Sequence, residues 1–261
     1  MPKLHVHDID LYYEVTGQGA PLLLIHGLGS STRDWERQVP VFSEHYQVIT
    51  FDVRGHGQSA KPPGPYSIPQ FAGDTAELMK ALGIGPAHVV GISMGGMIAF
   101  QLAVDAPHLV KSLVIVNSGP ELVARTFREK LAFWQRIAIV QLVGMRKMGE
   151  VLSQRLFPKP EQQALRQEFI KRWAENDQRA YLNALRALMG WSVADRLGAI
   201  DCPTLVMSAD QDYSPVSLKE AYVAKMRHAE LVVISDSRHA TPVEQPDKFN
   251  AAVLTFLAKQ P

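Results

Sequence analysis

Thiols are almost absent: among 261 residues only Cys202 is a cysteine. One thiol forms no internal disulfide, which excludes a disulfide-stapled secreted scaffold and fits a reducing, cytoplasmic setting. Charge imbalance is also lacking, since 27 Lys/Arg stand against 26 Asp/Glu for a net +1. Nothing global therefore advertises a nucleic acid or an acidic membrane surface as partner. No apolar run approaches the roughly 20 residues of a spanning helix. The opening "MPKLHVHDIDLYYEV" places acids where a signal peptide needs an unbroken apolar stretch. There is no internal repeat. With 46% hydrophobic and 20% charged residues, the chain can bury a substantial core.

What is present is a rhythm of short apolar runs and helical segments. Residues 3–7 and 9–15 alternate, with Ile9, Leu11, Tyr13 and Val15 on one face and "HDID" turning between them, which predicts an antiparallel hairpin. "PLLLIHG" (21–27) reads as a strand buried on both faces. The same pattern returns in "QVITFD", "HVVGI", "KSLVIVN", "PTLVMS" and "AELVVIS". A helix is predicted after Ser67, which has Gln70 three residues on. Another, over residues 95–104, follows a strand directly and ends before Pro107. Strands alternating with helices imply parallel pairs joined by crossovers, hence a doubly wound α/β sheet. Residues 119–200 interrupt this with four helical segments, around 121–143, 145–156, 161–175 and 178–189. The reading is a core of 1–118 and 201–261 with a helical cap of 119–200, lying over the sheet edge where such folds bind ligands.

Within the core, "VVGISMGGMIAF" (89–100) sets Ser93 between Gly91 and Gly95 at a strand-to-helix turn. Small flanking residues let the turn be tight, leaving the hydroxyl exposed with a helix N-terminus behind it. A serine nucleophile needs a base, and the base an orienting acid, in the order serine, acid, histidine on this kind of sheet. "ADQDYSP" after one strand offers Asp210 and Asp212, and "DSRHATPVEQP" after the next offers His239. His228 precedes its strand and would lie at the opposite edge. Two backbone N–H groups are also required for an oxyanion. Met94 follows the serine, and the turn "HGLGSS" offers Leu28.

Together, "IHGLG", "FDVRGHGQS", "VVGISMGGMIAFQLA", "PTLVMSADQDYSP" and "SRHATPVEQPDKF" resemble the α/β-hydrolase superfamily, in its esterase, enol-lactonase and metal-free haloperoxidase-like branch. The resemblance covers nearly the whole chain. It implies Ser93 as nucleophile, Asp212 as acid, His239 as base, and Leu28 and Met94 as oxyanion donors, with no cofactor and no metal. The implied activity is hydrolysis of a small-molecule carboxylic ester or lactone through an acyl-enzyme. Thioester hydrolysis, C–C bond hydrolysis and perhydrolysis use the same triad, and a ligand-binding module on a hydrolase scaffold is the non-enzymatic alternative. Two positions depart from the family pattern: Ala209 stands where a glycine usually precedes the acid, and Arg238 where a glycine usually precedes the base. The first keeps Asp210 open as the acid. Some relatives draw their acid from the end of the sixth strand, which here holds Asn117 and Ser118.

Other conspicuous residues read more plainly. His26 and His56 belong to glycine-shaped loops, and the Asp8/Asp10 pair to a hairpin turn. Cys202, beside Pro203, reads as an inert packed thiol. The cap aromatics, among them Phe127, Trp134, Trp173 and Trp191, read mostly as lobe core. Residues 119–200 carry fourteen Lys/Arg against eight Asp/Glu. That excess reads either as a solvated surface or as a lid that attracts anionic substrates, with Arg125, Arg128 and Lys130 as its candidates.

Overall fold

The computed structural model describes residues 2–260. Eight strands form one sheet: β1 Lys3–Val6, β2 Ile9–Thr16, β3 Ala20–Ile25, β4 Tyr46–Phe51, β5 Ala87–Ile92, β6 Val110–Val116, β7 Thr204–Ala209 and β8 Ala229–Ile234. Their order is β1-β2-β4-β3-β5-β6-β7-β8. β2 pairs antiparallel with β1 and β4, and the other pairings are parallel. The helices are α1 Val39–Phe42, α2 Ile68–Ala81, α3 Met94–Asp105, α4 Phe127–Val143, α5 Met145–Leu156, α6 Gln163–Ala174, α7 Gln178–Leu188, α8 Val216–Val223, α9 Thr241–Glu244 and α10 Pro246–Leu257.

The continuous apolar runs follow from burial of both sheet faces. Leu23 and Ile25 pack toward α2 and α3, with Val89, Ile115 and Phe100 in the same cluster. Leu22 and Leu24 face the other way, with Val90, Val114, Phe42 of α1 and Phe249 of α10. All six residues of β5 are buried, as expected at the sheet's centre. β8 differs from its sequence reading. Only Ile234 is buried, because the strand lies at the sheet edge and has a single partner. Val15 likewise ends 44% exposed, near the C-terminal end of β2 beyond its pairing with β1.

Between β6 and β7 run α4 to α7. Helix does not begin at residue 121. Glu121 forms an isolated antiparallel bridge with Ser192, and α4 starts only where Thr126 and Glu129 make a reciprocal capping box. Phe127 and Trp134 are 80% and 63% exposed, so these two are not lobe core. Trp173 and Trp191 are buried. The helical segment is tied to the sheet's loops at the C-terminal end of α6: Asn176, just past the helix, donates Nδ2 to Gly29 O at 2.9 Å, and Arg172 pairs with Glu36 at 2.7 Å.

Arg54 fastens the hairpin to the core. Its guanidinium is 2% exposed, and its Nε donates to Asp74 Oδ2 at 2.7 Å while Nη2 reaches Asp8 Oδ1 at 2.6 Å. Asp74 is itself buried in α2, whereas Asp8 is 65% exposed. Removing a buried cation leaves its partner's charge uncompensated, typically at about 3–5 kcal/mol. Arg54→Met is therefore expected to lower stability by roughly that amount, whereas Asp8→Asn costs less than about 1 kcal/mol. Urea unfolding of both variants checks the ranking.

Candidate active site

The turn from β5 into α3 explains its glycines. A Cβ on Gly91 would collide with the Gly95 carbonyl, and a Cβ on Gly95 with the carbonyl oxygen of Ile25 in the neighbouring strand. This close packing drives Ser93 to φ 54°, ψ −117°, a conformation costing on the order of 1–3 kcal/mol for a residue with a side chain. Ser93 occupies the N-cap position of α3, yet its hydroxyl makes no capping bond. A serine that merely capped the helix would accept from a first-turn N–H. This one faces the cavity instead.

The loops after β7 and β8 bring Asp212 and His239 together. His239 Nδ1 lies 2.6 Å from Asp212 Oδ1, with the carboxylate 1% exposed. Burial would raise the Asp212 carboxyl, but the hydrogen bond and charge of His239, then those of Lys219, overrule it and hold the group down at about 2. Asp210 turns elsewhere: Oδ2 accepts from Asp236 N and Oδ1 from Ser237 N, which ties the two loops at their base. Asn117, at the end of β6 with φ 45°, joins the same loops. Its Nδ2 donates to His239 O at 2.9 Å and Thr241 Oγ1 at 2.8 Å, and its Oδ1 accepts from Ala209 N at 2.7 Å. Tyr213 stacks on the His239 ring with centroids 4.3 Å apart.

Ser93, Asp212 and His239 all border one cavity of about 1000 Å³, roofed by α4 and α5. Leu28 and Met94 are buried, and neither backbone N–H has an acceptor among the described residues. Buried N–H groups without partners are rare, so two flanking one serine suit a transient oxyanion. No hydrogen bond joins Ser93 Oγ to His239 in this resting arrangement. Such contacts often tighten only with substrate bound.

Residues 20–246 match the family described as alpha/beta hydrolase fold. The chain belongs to the α/β-hydrolase family. Among its relatives is the (E)-2-((N-methylformamido)methylene)succinate hydrolase of Acinetobacter baylyi, 32% identical across 96% of this chain and 95% of the relative. The 3-oxoadipate enol-lactonase 2 of the same organism is 29% identical across 97% of each. The crystal structure of the enol-lactonase from Burkholderia xenovorans superposes with a TM-score of 0.92 over 99% of this chain and 100% of that one, at 24% identity, a likeness of fold. The chain is a hydrolase, and no described helix is long and apolar enough to cross a membrane.

The hydrolase places its remaining histidines outside the cavity. His26 is buried, with Nδ1 on Gly27 O and Nε2 accepting from Val53 N, and burial pushes it down to about 4. His56 is pushed down to about 3 for the same reason. His26 thus links two loops, whereas the His56 ring bonds only Arg54 O within its own loop. Burial raises the Cys202 thiol to about 11, which leaves it unreactive. Of the three cations singled out in the lid, only Arg125 borders the cavity, and it is paired with Glu121 at 2.7 Å. Arg136 and Arg155 border it instead. Sequence reasoning missed Arg136 and Lys219. For Lys219 the available signal was a lysine seven residues after the acid, on the inward face of the next helix.

Asp212→Asn is expected to lower turnover by on the order of 10⁴, and Asp210→Asn by far less, as measured by kcat on a common ester. The depressed Asp212 carboxyl also stabilises the fold. That contribution is present above the ordinary carboxylate value of 3.8 and is lost as pH falls through about 2. The stability gap between wild type and Asp212→Asn should therefore narrow across that window in urea titrations.

Proposed function

We propose that this hydrolase cleaves carboxylic esters or lactones through a Ser93 acyl-enzyme, with no cofactor. The observation that supports this best is an uncapped, strained Ser93 sharing one cavity with the His239–Asp212 pair. His239 Nε2 takes the hydroxyl proton as Ser93 Oγ attacks the carbonyl carbon. Asp212 holds the imidazole with Nδ1 protonated, and the Leu28 and Met94 N–H groups receive the oxyanion. Collapse expels the alkoxide, which takes the proton from His239. Water, deprotonated by the same imidazole, then releases the acid. The names of the relatives fit hydrolytic attack on an acyl carbon, and none of these steps needs a metal.

Arg136 favours substrates that carry a carboxylate. Its Nε donates to Tyr181 Oη at 2.7 Å, and its guanidinium carbon lies 5.9 Å and 5.7 Å from the Trp173 and Tyr181 ring centroids. This seating fixes the group while Nη1 and Nη2, which make no hydrogen bond among the described residues, remain available as a bidentate fork. Arg155 adds a second positive charge on the same wall. The lid's excess of cations thus acts at the site through these two side chains.

A fluorophosphonate probe should label the wild-type protein at Ser93. Ser93→Ala should lose both the label and all but about one per cent of ester hydrolysis while keeping its thermal transition; retained labelling would point to another nucleophile. Arg136→Met should raise KM about 10–100-fold for a carboxylate-bearing ester and leave its neutral analogue nearly unchanged. Equal effects on the two substrates would remove the anion preference.

A further inference from the structure

Lys219 is the most deeply buried cation near the site, and the reaction as described makes no use of it. It lies on α8, and its side chain is 1% exposed. Nζ donates to Asp212 Oδ2, to Ser214 O and to Ser214 Oγ, each at 2.6 Å. These three bonds use all of the ammonium's protons. Ser214 Oγ in turn lies 3.2 Å from Asp212 Oδ2. The Asp212 carboxylate is therefore divided: Oδ1 serves His239 and Oδ2 serves Lys219.

We infer that Lys219 is a positioning residue that acts on His239 through Asp212, fixing the carboxylate's orientation and sharing its charge so that the imidazole stays neutral at lower pH. The physical grounds are twofold. A carboxylate is oriented when both oxygens are occupied, and neutral donors would suffice for that. A buried ammonium adds something a neutral donor does not. It offsets the negative charge that would otherwise stabilise the imidazolium, and it repels that imidazolium directly. Burying a lysine is costly unless its charge is matched, and here the matching charge is the one His239 also uses.

Other ionisable groups around the imidazole are accounted for. Tyr213 stacks on the ring, and Tyr222 of α8 donates to Ser118 O. Arg238 and Glu244, beside His239 in the chain, pair with each other at 3.5 Å. Across the cavity Arg136 and Arg155 approach Tyr213. None of these touches the Asp212 carboxylate, so the Lys219 contact is the one whose removal changes the charge shared with His239.

The inference rests on the Ser93–His239–Asp212 reading, and the test separates the two. The pH dependence of kcat/KM on a neutral p-nitrophenyl ester is measured for wild type, Lys219→Met and Lys219→Gln, with Ser93→Ala as control. Lys219→Met should move the acid limb to higher pH by on the order of one unit and lower the plateau kcat about tenfold or more. Lys219→Gln keeps donors for Asp212 and Ser214 without the charge, and it guards against a methionine variant that fails to fold. It should move the acid limb similarly while retaining more of the plateau. If both variants lose rate with the acid limb unmoved, Lys219 only braces the loop and the inference is overturned. If Ser93→Ala remains active, the serine reading itself falls, whatever Lys219 does.

Discussion

The contact on which the site depends is the approach of Gly95 to the carbonyl of Ile25. It admits no side chain, and it holds the first turn of α3 against β3 while β5 lies beside both. The strained backbone of Ser93 follows from it. So does the nearness of Gly27 to Ser93, because β3 and β5 are neighbours in register, with Ile25 opposite Gly91. The strain at Ser93 persists because the two buried sheet faces over-determine the turn.

A second constraint acts on the other side of the cavity. The loops carrying Asp212 and His239 leave β7 and β8 at the same sheet edge and are braced from below by Asp210 and Asn117. Both braces use side chains to satisfy backbone groups that loops would otherwise leave to water. Asn117 stands where some relatives place their acid. Here it serves the loop that carries His239, and the carboxylate that meets His239 Nδ1 belongs to Asp212, one strand farther along.

The cap completes the enclosure. Trp173 packs on Gly29 and its neighbour Arg172 reaches Glu36, so the helical segment is anchored to the same turn that carries Leu28. Its aromatic residues divide by position: Trp173 and Trp191 are enclosed, while Phe127 and Trp134 face outward on α4. The charge excess of this segment divides as well. Arg125 pairs with Glu121, whereas Arg136 is seated by Tyr181 and Trp173 and borders the cavity.

The sequence by itself determined the N-terminal hairpin, the mostly parallel sheet and the Ser93 turn. Continuous apolar runs mark strands covered on both faces, and the glycines mark a turn with no room for side chains. Those are local properties of chain segments. Tertiary structure alone decided which aspartate meets His239, because Asp210 and Asp212 lie two residues apart on one loop and only its curvature separates them. It also decided the helix start at Thr126, the exposure of Phe127 and Trp134, and the contacts of Arg136 and Lys219. Each of these depends on what stands across a gap from the residue, such as Ser192, solvent, a pair of aromatic rings or a carboxylate. The spacing of residues along one segment carries no record of those partners.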